Sequence, residues 1–126
     1  MTVPVGLRGE NLSTVFTDAM ELLAVCIRTN ASSKQLPRKL TREVGERLVE
    51  QARRVMHAVY SASAASGDAS RREKHCDEAE EAMDCLNAEL HLCFLHFRLK
   101  AAKAKEISTI LSGLQDKFRY WRKGVR

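Results

Sequence analysis

The chain has 126 residues and a formal charge of +5, from 21 Lys and Arg against 16 Asp and Glu. At that length one domain hides roughly 68% of the surface its unfolded chain would expose, enough for one core, which argues against a multidomain enzyme. Six Gly, two Pro and only 6% aromatics, among abundant Ala, Leu, Glu, Lys and Arg, favour helix over sheet, so the predicted fold class is all-α.

Four amphipathic segments follow in order. Leu12, Val15, Phe16, Ala19, Leu22, Leu23 and Cys26 recur at steps of three and four, predicting a first helix over about 12–29 with Asn11 or Ser13 as N-cap. Turn formers at 30–36 precede Pro37, which suits the opening of a second helix over 38–60 carrying Leu40, Val44, Leu48, Ala52, Val55 and Val59. The small residues of 61–70, with Gly67 and Asp68, read as an inter-helix loop. A third helix over 71–99 has the most regular seam: Cys76, Ala79, Met83, Leu86, Leu90, Cys93 and Phe97. Ile107, Leu111, Leu114, Phe118 and Trp121 define a fourth, over 103–123. Nothing between Phe97 and Ile107 is Gly or Pro, but an unbroken helix over 71–123 would be about 80 Å long and could not be covered. A tight turn is therefore predicted within 99–104. The expected architecture is a single domain over 1–126, an antiparallel up-down-up-down four-helix bundle.

No apolar run approaches the ~20 residues of a bilayer span, and residues 1–9 lack the pattern of a secretory signal. Cys26, Cys76, Cys85 and Cys93 are spaced as free thiols rather than as a disulfide framework. A cytoplasmic protein is expected.

The charge is unevenly distributed. Residues 1–33 hold two cations and three anions, 34–60 seven and three, 61–97 three and eight, and 98–126 nine and two. The acidic block is Glu73, Asp77, Glu78, Glu80, Glu81 and Asp84, where carboxylates also complement a helix N-terminus. Glu43 with Arg47, and Glu50 with Arg54, sit four apart in the acid-first order of a helical ion pair. Near the C-terminus Lys117, Arg119, Arg122, Lys123 and Arg126 face only Asp116, and Arg38, Lys39 and Arg42 are similarly uncompensated. These cations point to a polyanion, bound through phosphate contacts that release counterions.

Catalytic constellations are few. No Glu-x-x-His occurs, nor any zinc spacing, Gly-rich phosphate loop or Gly-x-Ser-x-Gly. His91 and His96 flank Cys93 but differ by about 140° in helical direction, too far apart to share an ion. No enzyme activity, metal or cofactor is expected; the remaining route to one is an unrecognised site built from His57, His91 or His96. On the second helix Val49, Met56 and Tyr60 form another apolar stripe, flanked by Arg42 and Arg53. It reads either as a wide core face or as a subunit interface.

The segment Leu36-Pro37-Arg38-Lys39 between two amphipathic helices resembles the Pro-Lys/Arg start of the second helix in a bacterial four-helix-bundle family. That family comprises the accessory variability determinant proteins of diversity-generating retroelements and the proteins encoded in ribosomal-RNA intervening sequences. Residues 97–100 resemble its Leu-Lys stretch closing the third helix, and Trp121-Arg122-Lys123 its terminal Trp-basic signature. The chain has Tyr120 where members often have Gly, and Arg42 where their arginine stands closer to the proline. The resemblance implies a homopentameric barrel that binds a reverse transcriptase and its template RNA or DNA and supports mutagenic complementary-DNA synthesis without being the polymerase. By position, Arg38, Lys39, Arg122 and Lys123 would be binding residues and Trp121 a packing residue. A helical protein-binding adaptor, or an intervening-sequence protein with no retroelement role, is the alternative.

Overall fold

The computed structural model describes residues 10–32, 34–36, 42–65 and 67–124, with the side chains at 10–13, 42 and 124 outside that description. It is all-helical, with helices α1 (Glu10–Ala31), α2 (Arg42–Ala64), α3 (Ala69–His96) and α4 (Ala101–Gly124), and no strand among the described residues. Each helix packs on its neighbour in sequence and α4 packs back on α1, consistent with a four-helix bundle. No helix among the described residues is long and apolar enough to cross a membrane.

The helical stripes meet in one contiguous core. Val15, Ala19, Leu22 and Cys26 of α1 join Leu48, Ala52, Val55 and Val59 of α2, Met83, Leu86 and Cys93 of α3, and Ile107, Leu111, Leu114 and Phe118 of α4. Trp121 stacks at a tilt on Phe118, with ring centroids 5.6 Å apart. Such aromatic pairs add about 0.5–1.5 kcal/mol to the area they bury.

Several boundaries differ from those read in the sequence. Asn11 and Ser13 lie inside α1 rather than capping it, because the helix is already formed at Glu10. The expected start of the second helix at 38 lies outside the described residues. α2 continues past 60 to Ala64. Its small residues there are not loop formers: Ala62 and Ser63 are buried. Asp68 then caps α3, its side chain accepting from Arg71 N at 3.1 Å.

α3 ends at His96, so the turn falls earlier than predicted. Arg98 adopts the left-handed region, φ 60°, which lets Leu99 N donate back to Cys93 O at 3.1 Å. Glycine normally fills such a position, and another residue there costs roughly 1–2 kcal/mol. Leu99, 3% exposed, offsets that strain by entering the core. The turn is also tied across the molecule, since Lys100 N donates to Gln35 O at 3.0 Å in the α1–α2 connection. Beside that connection α1 and α2 nearly touch: a Cβ at Gly45 would lie 1.9 Å from Asn30 Oδ1 and 3.2 Å from Leu36 Cδ2.

Candidate nucleic-acid interface

The spacing Glu73, Asp77, Glu80 places three carboxylates along the face of α3 that meets the last turns of α4. There Arg122 reaches all three, donating to Glu73, to Glu80 and to Asp77 Oδ1, the last at 2.6 Å. Arg119 Nε pairs with Glu80 at 3.3 Å, and Lys117 Nζ with Asp18 of α1 at 2.7 Å. Burial works to lower the Arg122 pKa, but the hydrogen bonds it donates to Asp77, Glu73 and Glu80 outweigh it and hold the guanidinium above its ordinary value. Its partners are 39 to 99 positions away for the three cations together, which is why a count along the chain misses them.

The expectation of uncompensated charge at Lys117, Arg119 and Arg122 is therefore corrected. Only Lys123 of that group is exposed without a salt-bridge partner among the described residues. Arg126, Arg38 and Lys39 lie outside the described residues. Arg42 opens α2, its side chain outside the description.

The helical ion pairs of α2 are likewise rearranged. Arg47 turns to Glu89 on α3 at 3.8 Å, Arg54 Nη1 donates to Gln51 at 2.9 Å, and Glu50 lies 3.9 Å from Arg53. A neighbour on another helix, or one three residues away, takes the place of the i,i+4 partner. Of the second stripe, Val49 and Met56 are half-buried against the core, as the wide-face reading expects. Tyr60 is 48% exposed, its ring 6.3 Å from that of Phe16.

A different basic surface emerges around the α3–α4 turn. Arg98, Lys100 and Lys105 are exposed and have no salt-bridge partner among the described residues, whereas Lys103 is held by Glu106 at 2.6 Å. The Lys100–Gln35 bond brings Lys34, also exposed, to the same end. The sequence contained the signal, because Arg98, Lys100, Lys103 and Lys105 belong to the strongly basic last segment.

Apolar side chains accompany these cations. Phe94 is 44% and Leu95 65% exposed on the last turns of α3. Phe94 borders a cleft of about 250 Å³ between α3 and α4, facing Ala101, Ala104, Lys105 and Ser108. The small α4 residues leave this seam open.

The histidines do not converge. His91 and His96 are exposed while Cys93 is buried between them, and His91 Nδ1 lies 2.8 Å from Asn87 O. His57 borders a cleft with Arg54, Glu78 and Glu81. Among the described residues no group of three or more His, Cys, Asp or Glu could hold a metal ion.

Compared with protein-family models, curated proteins and solved structures, the chain has no match.

Proposed function

We propose that this chain is a non-enzymatic, nucleic-acid-binding accessory protein. The observation that carries the reading is the set of exposed cations Lys34, Arg98, Lys100 and Lys105 at one end of the helices, none of which has a salt-bridge partner among the described residues. Free ammonium and guanidinium groups on a rigid surface suit phosphate contacts and counterion release. Arg119 and Arg122 serve structure in this reading, and Lys123 is a peripheral contact.

The resemblance of Leu36-Pro37-Arg38-Lys39 and Trp121-Arg122-Lys123 to the accessory variability determinant proteins supplies the finer role. The protein would bind a reverse transcriptase and its template RNA or DNA in the cytoplasm and support mutagenic complementary-DNA synthesis. Its helices would alternate up and down, and five copies would form a barrel, each repeating the basic end. Repetition strengthens both the field and the avidity of weak individual contacts. Half-exposed Tyr60 is available for such an interface.

The test is a salt-dependent titration of RNA with wild type and with an Arg98→Gln, Lys100→Gln, Lys105→Gln variant, alongside native mass. The variant is expected to lose binding and keep its helicity. Salt-independent binding, or full binding by the variant, overturns the reading.

A further inference from the structure

We propose that the cleft between α3 and α4 docks an acidic segment of a partner protein, anchored by one bulky apolar side chain. The cleft is built where α4 presents Ala101, Ala104 and Ser108 to Leu90 and Phe94 of α3. Small residues on one wall and a large aromatic on the other leave a slot that neither helix fills. Its volume, about 250 Å³, falls below the roughly 300–1,000 Å³ of a small-molecule or cofactor site. It fits a side chain better than a ligand.

The chemistry of the slot and of its rim differ. Its walls are mainly apolar, from Leu90, Phe94, Ala101 and Ala104, with His91 and Ser108 beside them. Phe94, 44% exposed, offers an aromatic surface to an incoming side chain, the kind of contact that dominates protein interfaces. The rim is cationic: Lys105 borders the cleft, and Lys100 stands in the turn immediately before Ala101. Neither has a carboxylate partner among the described residues. The complementary ligand is apolar at its centre and anionic on either side. The anchor supplies affinity by burial, and the flanking carboxylates supply orientation and exclude basic competitors.

This proposal does not depend on nucleic-acid binding. The experiment is an amide-shift titration of the full chain with a synthetic peptide of glutamates flanking one phenylalanine. Saturating shifts are expected at Phe94, Ala104, Lys105 and Ser108. Replacing the peptide's phenylalanine by alanine should weaken binding at least about tenfold, the effect of losing one buried aromatic. A peptide with lysines in place of glutamates should not bind. On the protein, Ser108→Phe fills the slot and should abolish the shifts, and Lys105→Glu should weaken binding about threefold or more. Both positions are exposed, and far-ultraviolet circular dichroism checks that each variant folds.

Absent or non-saturating shifts overturn the proposal, as does equal binding by the alanine or lysine peptide. It is also overturned if poly(U) moves Phe94 and Ala104 more than the peptide does, which would assign the cleft to nucleic acid. Shifts at these residues that appear on concentrating the protein alone would assign it to a second copy, with the same consequence.

Discussion

The guanidinium of Arg72 lies over the indole of Trp121, 4.6 Å from the ring centroid. Its Nη2 also donates to Arg122 O at 3.2 Å, so a side chain from the first turns of α3 satisfies a carbonyl at the end of α4. One residue thus covers the aromatic end of the core and closes a neighbouring helix. Arg72→Ala is expected to lower unfolding stability by about 1–2 kcal/mol, a partly desolvated cation–π contact plus one hydrogen bond. Arg72→Lys should recover only part, because an ammonium lacks the planar stacking face. Denaturant titration followed by fluorescence of Trp121, the single tryptophan, measures both.

Arg122→Gln should destabilise through the carboxylates it leaves behind. Glu73, Asp77 and Glu80 would then face one another with Arg119 still paired to Glu80 and Arg72 beside the end of α4. Glu73 and Asp77 are well exposed, at 62% and 68%, so solvent screens them and a loss of about 1–2 kcal/mol is expected rather than the larger figure of a buried pair. Adding Asp77→Asn should restore part of it, read from the urea midpoint at constant m-value.

Removing Arg98, Lys100 and Lys105 should reduce the slope of log K against log salt for single-stranded RNA by about 2, at about 0.7 per phosphate contact. Arg119→Gln with Lys123→Gln should change it by less than about 1. The reverse ranking would return the binding surface to the end of α4.

Burial pushes the Cys26 thiol up to about 12 and the Cys93 thiol up to about 11, and raises Cys76 as well. Half-buried Cys85 should therefore react first with a thiol reagent at pH 8, with the other three slow until the protein unfolds. The same shifts act on alkaline stability. Above the ordinary thiol value of 9.0 the unfolded chain loses protons that the folded chain keeps, so stability falls from about pH 9 through the folded values. Cys26→Ala with Cys93→Ala should start less stable but decline less between pH 9 and 11, measured by denaturant titration at each pH.

Arg98→Gly should stabilise the fold by about 0.5–1 kcal/mol. Relief of the left-handed strain is partly offset by the greater freedom of glycine in the unfolded chain. Thermal melting shows this as a rise of a few degrees, and a lower melting temperature would contradict it.

The helical faces were legible in the sequence because burial imposes a period that survives in the residue order. From Val15 to Cys26 and from Cys76 to Cys93 the core buries every predicted seam residue except Phe16, which is partly buried, and adds Val25 and Ala82 on the flanks of the stripes. The turn after α3 was not placed correctly because it uses Arg98 where glycine would have announced it. α2 runs past the end its composition suggests because Ala62 and Ser63 resemble loop residues yet are buried. The ionic pattern was the least legible. Residue order shows each charge only beside its neighbours in the chain, whereas Arg122 finds Glu73, Asp77 and Glu80 after α3 and α4 have packed.

The bond from Lys100 N to Gln35 O joins the connection between the first two helices to that between the last two. Each connection also has bonds of its own, Gln35 N to Ser32 O and Leu99 N to Cys93 O, and the Lys100–Gln35 bond is the one that ties them to each other and breaks when the two pairs part. Deuterium uptake at the Lys100 amide should follow separation of the two pairs and slow as the whole molecule is stabilised. That amide is a natural reporter of whether the molecule opens as one cooperative unit or as two.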